Sequence, residues 1–345
     1  MPSTVPTLQA LKRNKTVTEQ TQETLTLAKS ITRAMHDEMT TNRKVLILGE
    51  DIGKLGGVYR VTEGLQATFG ENRVLDTPLG EAGIIGTSIG MALRGYRPVA
   101  EIQFDGFVFP GFNQITSQLA KMHGRTLGHY TVPVTVRIPY GGMIGSIEHH
   151  SESPEALFTH TPGLRVVTPS NPHDAYWMLR KSIAHPDPVI YFEPKRRYWS
   201  KGEVDFTDTG FDPFKAQVVR EGTDLTLVAY GPLVPVALAA AKAAEEDGRS
   251  IEVIDLRSLS PLDFPTIIAS VEKTGRLVVT HEAPVFGGIG SDIASTISER
   301  CFFHLEAPVL RVGGFHMPYP VSRVEEEYVP GIDRMLDAVD RSFAY

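Results

Sequence analysis

Cysteine is almost absent from the chain, which carries only Cys301. A lone cysteine cannot close an intrachain disulfide, so a reducing compartment is the default. Long apolar runs are missing too: nothing approaches the roughly 20 residues of a membrane span. The N-terminus has no apolar stretch of the signal-peptide kind. These absences make a cytoplasmic protein with no membrane partner the expectation. Positive charge is in deficit, with 34 Lys and Arg against 41 Asp and Glu, a net charge of −7. The one short basic cluster is Lys195-Arg196-Arg197, so a nucleic-acid partner is disfavoured. Two phosphate-binding motifs are also missing, G-x-G-x-x-G opening a helix and G-x-x-x-x-G-K-[ST]. A chain of strands and helices without a phosphate loop either does not bind nucleotides or holds only part of a site.

What is present reads as an α/β protein. Its 345 residues exceed one ordinary core and suggest two domains. Residues 1–22 are Thr-, Gln- and Pro-rich and are expected to form a mobile N-terminal tail. Short β-branched runs follow at 44–49, 97–104, 132–138, 164–169 and 188–193. Continuous apolar runs bounded by Gly and Pro suit strands buried on both faces. Helices are expected over 25–39, 81–93, 111–122 and 173–184, the last with Asn171 as N-cap and Pro172 in its first turn. A polar stretch at 200–215 reads as a linker. Beyond it strands at 224–231, 250–256, 276–282 and 308–314 alternate with helices at 234–246, 264–273 and 290–300. The expected fold is thus two domains, 23–199 and 216–345, each a mainly parallel sheet flanked by helices.

Two constellations carry possible chemistry. In "TPLGEAGIIGTSIGMALRG", Glu81 heads a helix with no charge from Ala82 to Leu93. Gly83, Gly86 and Gly90 share one face, though each glycine costs about 1 kcal/mol relative to alanine in a helix. Such a face suggests close approach of another helix, from this chain or a second subunit. Glu81 is either a carboxylate complementing the helix dipole or a buried carboxyl handling a proton in a cofactor site. The embedded "GTSIG" matches a nucleophile elbow, but no strand precedes it, so Ser88 reads as a packing residue. In "GSIEHHSESPEALFTHTPG", His149 and His150 lie in a Gly-preceded loop. They are either part of a solvated loop or a source of acid/base chemistry; zinc-like spacing is absent. His160, His281 and Glu282 read as structural.

Seven collinear blocks then narrow the choice: "GEDIGKLGGVYRVTEGL", "DTPLGEAGIIGTSIGMALRG", "EIQFDGFVFPGFNQI", "HHSESPEALFTHTPGLRVV", "FEPKRRY", "EVIDLRSLSPLD" and "TGRLVVTHEAP". From about Leu25 to the C-terminus the chain resembles the beta subunit of the thiamine-diphosphate-dependent, decarboxylating component of 2-oxo acid dehydrogenase complexes. The resemblance implies an N-terminal pyrimidine-binding domain and a C-terminal transketolase-type domain. It also implies an α2β2 heterotetramer in which the alpha subunit holds the diphosphate and Mg²⁺ through a G-D-G…N motif. This chain contains neither "GDG" nor "NN", as expected for half a site. Glu81 falls where the family glutamate hydrogen-bonds the pyrimidine ring nitrogen. Phe107 falls against the pyrimidine face, Gln103 and Leu79 beside cofactor and substrate, and Glu50 near the cofactor. His150 takes the place of the catalytic histidine, which serves reductive acylation of a lipoyl group on the acyltransferase partner. A K⁺ site would lie near Ser182, His185 and Asp187, although His185 and Pro186 replace the usual polar residues. "HSESPEA" and "FEPKRRY" look more like the branched-chain enzymes than the pyruvate ones, and Gly80 beside Leu79 would leave room for a larger acyl chain. The alternatives are a pyruvate dehydrogenase beta subunit, a free-standing transketolase-like enzyme and a non-catalytic assembly subunit.

Overall fold

The computed structural model describes residues 21–345. Residues 1–20, most of the segment read as a tail, lie outside the described residues. Fourteen strands occur among the described residues. In chain order they are β1 Gln22–Thr26, β2 Val45–Gly49, β3 Val74–Asp76, β4 Arg97–Glu101, β5 Thr135–Tyr140, β6 Arg165–Val167 and β7 Val189–Pro194. There follow β8 Lys201–Asp205, β9 Gln217–Arg220, β10 Leu225–Ala229, β11 Ile251–Asp255, β12 Ser258–Ser260, β13 Leu277–Pro284 and β14 Leu310–Gly314.

Two sheets dominate. The first has the order β12-β6-β7-β5-β4-β2-β3 and is parallel except for β12. Strands such as β2, β5 and β7 are buried along their whole length, as continuous apolar runs between helical layers require. The second sheet has the order β14-β13-β10-β11-β9 and is parallel except for β9. One apolar cluster runs through both halves, joining Ile102, Val136 and Ile190 to Val228, Ile254 and Val279. Strand β12, from the second half of the chain, completes the first sheet against β6. The two domains therefore pack through a shared interior.

Several local expectations are met by visible physical causes. The helix Glu81–Leu93 has the anticipated bounds, and Ile84, Ile85, Ile89 and Ala92 form its buried stripe. Ser88 is buried in it and donates to the Ile84 carbonyl, 2.8 Å away, as a small packing residue would. Asn171 caps the helix Pro172–Ala184 by accepting from the Asp174 N–H at 2.9 Å.

Other segments differ from expectation. Residues 111–122 do not form one α-helix. Two 3-10 turns, Asp105–Gly111 and Leu119–Lys121, flank a π segment at Gln114–Gln118. Pro110 sits inside the first turn, and Gly111 lies so close to Glu81 that a Cβ would stand 3.2 Å from its backbone and Cβ. The chain bends to fit that contact. The stretch 200–215 contains β8, which pairs antiparallel with β1. Polar residues suffice there because this pair is only partly buried. Gln22, counted with the tail, opens β1.

Candidate functional site

The parallel strands β5, β4, β2 and β3 lie side by side. Each is followed, at its carboxyl end, by a residue singled out in the sequence. Glu50 comes after β2, Leu79 and Glu81 after β3, Gln103 and Phe107 after β4, and the His150 loop after β5. In open α/β sheets the carboxyl ends of the strands are where ligands bind, because loops there can diverge around a crevice. Topology thus gathers these six residues along one sheet end.

Glu81 occupies the first turn of its helix and is only 6% exposed. No side-chain hydrogen bond engages its carboxyl group among the described residues. Neither oxygen is enclosed, so the carboxyl group reaches the open end of the sheet and is available to a hydrogen-bonding group brought from outside the chain. Glu50, half-buried beside it, has its pKa raised by burial, then by the charges of Asp51 and Glu81. Leu79 projects from the preceding turn with 72% of its surface exposed, and Phe109 is 48% exposed. Gln103 and Phe107 are half-buried. The site is therefore an open face of this chain. The glycine face behind Glu81 is open as well. A Cβ on Gly83 or Gly90 would meet no atom within 4 Å, and one on Gly86 only the Gln114 amide oxygen at 3.9 Å. No helix of the described residues fills that face.

The two histidines of the loop have different surroundings. His149 is exposed, 3.7 Å from Glu148. His150 is half-buried, stacked on Phe104 at 4.1 Å with 12° between planes, and edge-on to Phe107 at 5.2 Å. Its backbone is held from below. Lys195 Nζ donates to the His150 carbonyl at 2.7 Å and to the Asp105 carboxylate. Asp105 in turn accepts the Glu152 N–H at 2.9 Å. The ion pair is buried, with Lys195 2% and Asp105 0% exposed. Burial pushes the Asp105 carboxyl up to about 6, although Lys195 and the hydrogen bonds oppose it. The same burial lowers the Lys195 pKa. Gly106 completes the arrangement, since any Cβ there would run into the His149 backbone.

Phe104, Asp105, Gly106 and Lys195 escape the sequence reading. Asp105 and Lys195 are 90 residues apart, and Lys195 looks like one of three exposed bases. The available signals were an acid between two phenylalanines in "QFDGF" and a lysine directly after the strand "VIYFEP".

The potassium segment is self-satisfied in its side chains. Asp187 accepts from His123 Nδ1 at 2.6 Å and lies 3.8 Å from Arg165. Ser182 donates to the Met178 carbonyl, and His185 Nδ1 accepts the Asp187 N–H at 3.0 Å. Among the described residues no group of three or more His, Cys, Asp or Glu could hold a metal ion. An ion here would rest on backbone carbonyls. No helix among the described residues is long and apolar enough to cross a membrane. Ser153 Oγ and His281 Nε2 are enclosed atoms without a hydrogen-bond partner. His281 is held neutral, its pKa lowered to about 4 by burial, and three glycines, Gly288, Gly290 and Gly313, pack on its ring.

The fold and the loops at this sheet end define a transketolase-type protein. Residues 23–200 match the transketolase pyrimidine binding domain, and residues 214–335 match the transketolase C-terminal domain. A solved split-gene transketolase, described as an inactive beta4 tetramer, shares this fold with a TM-score of 0.77 over 93% of this chain and 98% of its own, at 24% identity. Among curated relatives, a pyruvate dehydrogenase E1 component subunit beta of Leifsonia xyli is 57% identical over 94% of this chain and 96% of its own. A 3-methyl-2-oxobutanoate dehydrogenase subunit beta of Mycobacterium tuberculosis is 54% identical over 92% of both. The pyruvate dehydrogenase E1 component subunit beta of Bacillus subtilis is 45% identical over 91% of this chain and 97% of its own. The chain belongs to the family of 2-oxo acid dehydrogenase E1 beta subunits.

Proposed function

We propose that this beta subunit works with an alpha subunit, in an α2β2 heterotetramer, to decarboxylate a branched-chain 2-oxo acid such as 3-methyl-2-oxobutanoate. The acyl group then passes to the lipoyl group of a dihydrolipoyl acyltransferase. The observation carrying the chemistry is Glu81, a largely buried residue at the carboxyl end of a parallel sheet whose carboxyl group makes no side-chain hydrogen bond among the described residues. The match to a pyrimidine binding domain supports thiamine diphosphate as the group it meets. That cofactor supplies the nucleophilic carbon and the electron sink for loss of CO2. Its diphosphate and Mg²⁺ would rest on the alpha subunit, because this chain lacks the G-D-G…N motif.

The chain's own residues then have separable tasks. Glu81 would share a proton with the pyrimidine ring. Phe107 offers an aromatic surface to the ring, and Gln103 and Leu79 border the substrate. Glu50, whose pKa is raised by burial and by the charges of Asp51 and Glu81, would serve as a proton relay near the cofactor. His150 acts later, when the lipoyl disulfide opens. One sulfur receives the acyl group and the other leaves, taking a proton from His150. Stacking on Phe104 and the Lys195 hydrogen bond fix the ring for that donation.

Branched-chain preference is supported by Gly80, where a side chain would meet no atom within 4 Å, and by the Mycobacterium tuberculosis relative. The second reading, pyruvate as substrate, is favoured by the 57% identical Leifsonia xyli protein. Relative kcat/KM for 3-methyl-2-oxobutanoate and pyruvate, measured on the reconstituted heterotetramer, separates the two. A preference for pyruvate replaces the first reading by the second.

A further inference from the structure

The loop that carries His150 leaves β5 through an unusual backbone. Gly141, Met143 and Gly145 all have left-handed φ values, +86°, +61° and +73°. Left-handed residues alternating with ordinary ones turn successive N–H groups toward one side, making a concavity that suits an anion. Here the anions come from the other domain. The Gly142 N–H donates to Glu282 Oε1. The Met143 N–H donates to Glu325 Oε2 at 3.1 Å and to Tyr319 Oη at 2.9 Å. The Gly145 N–H donates to Glu325 Oε1 at 3.1 Å. Tyr319 Oη closes the set by donating to Glu325 Oε2 at 2.8 Å. Packing is equally tight, since any Cβ on Gly142 would overlap the Tyr319 hydroxyl.

Glu325 is 8% exposed and heads a short helix some 180 residues away in sequence. Three donors converge on its two oxygens, which a carboxylate accepts and an amide does not. The far end of the loop is tied within its own domain. The Gly141 N–H donates to the Glu152 carbonyl at 2.9 Å, and Lys195 holds the His150 carbonyl. Residues Gly142 to Gly145 are held by the C-terminal domain, whereas Gly141 and the exit of the loop are tied within the N-terminal domain.

We propose that Glu325 and Tyr319 are positioning residues for His150: the C-terminal domain sets Gly142 to Gly145 of the catalytic loop, and thereby the lipoyl-acylating geometry. This inference rests on the role given to His150 above. The test uses the reconstituted heterotetramer with Glu325→Gln and Tyr319→Phe, each also combined with His150→Ala. Amide hydrogen exchange at Met143 and Gly145 is expected to accelerate by about tenfold or more as the clamp loosens. The kcat/KM for a lipoyl domain is expected to fall about tenfold, with decarboxylation by an artificial electron acceptor within about twofold of wild type. In the His150→Ala background neither variant lowers lipoyl acylation further. Unchanged exchange, equal loss in both assays, or a full additional loss without His150 overturns the proposal. If His150→Ala alone leaves lipoyl acylation intact, the reading of His150 itself fails, and this inference with it. If His150→Ala is damaging but Glu325→Gln is not, only the inference fails.

Discussion

Glu155 offers a quantitative test of how the two domains meet. It is fully buried, accepts the Tyr230 hydroxyl at 2.6 Å across the domain boundary, and leaves its second oxygen unpartnered. Burial pushes its carboxyl from 4.5 up to about 7, the Tyr230 hydrogen bond opposing and the charges of Glu282 and Asp105 assisting. The folded-state value is raised, so its contribution to stability is fully present below the unfolded value and is lost as pH rises through 7. Between pH 5 and pH 8 that loss is about 2–3 kcal/mol, from 1.36 kcal/mol per pH unit over the interval where only the unfolded chain is ionised. Glu155→Gln removes the titration. The amide is left with one unpaired donor costing about 1–3 kcal/mol, but that cost is the same at both pH values. The informative quantity is therefore the difference between pH 5 and pH 8 in urea unfolding. It should shrink by about 2–3 kcal/mol in the variant. Asp255, raised to about 7 by burial and independent of Glu155, titrates alike in both proteins and cancels in the comparison. An identical pH dependence in wild type and variant would refute the reasoning.

Two further outcomes are expected. Lys195→Met leaves Asp105 buried without its partner and should cost about 3–5 kcal/mol by urea unfolding at pH 8, with less at pH 5, where Asp105 takes up a proton; equal cost at both pH values would argue against the pairing. Gly106→Ala drives a methyl group into the His149 backbone and should lower lipoyl acylation about tenfold or more while thiamine diphosphate binding is retained; wild-type acylation would show the close approach to be unimportant.

Much of the architecture is legible in the sequence because it is written locally. Apolar runs such as "KVLILG" become buried strands, and the spacing of Ile84, Ile85, Ile89 and Ala92 gives the helix that Glu81 heads. The cap at Asn171 works in sequence and structure for the same reason, a side-chain acceptor for an unpaired helix N–H. Illegible features depend on distant partners. Lys195 is buried because Asp105, 90 residues earlier, compensates its charge. Residues 111–122 depart from an α-helix under the pressure of the Glu81 backbone on Gly111. The amphipathic helix Ile332–Phe343 follows the strand and helix alternation rather than belonging to it, and it goes unread although Met335, Ala338 and Val339 are buried. At the site, the residues alone supply Glu81 and the histidine pair, the resemblance picks His150 of the two, and the structure adds that His150 is stacked on Phe104 while His149 is exposed.

The most direct test of the role of Glu81 is decarboxylation of the 2-oxo acid by the heterotetramer carrying Glu81→Gln, with an artificial electron acceptor. An amide keeps the shape of the side chain but cannot share its proton with a ring nitrogen. Loss of proton transfer by a positioned group is worth about 10²–10⁴-fold, so kcat is expected to fall by at least about 100-fold with the heterotetramer still assembled. Decarboxylation at the wild-type rate would contradict a catalytic Glu81 and favour a subunit that serves only in assembly.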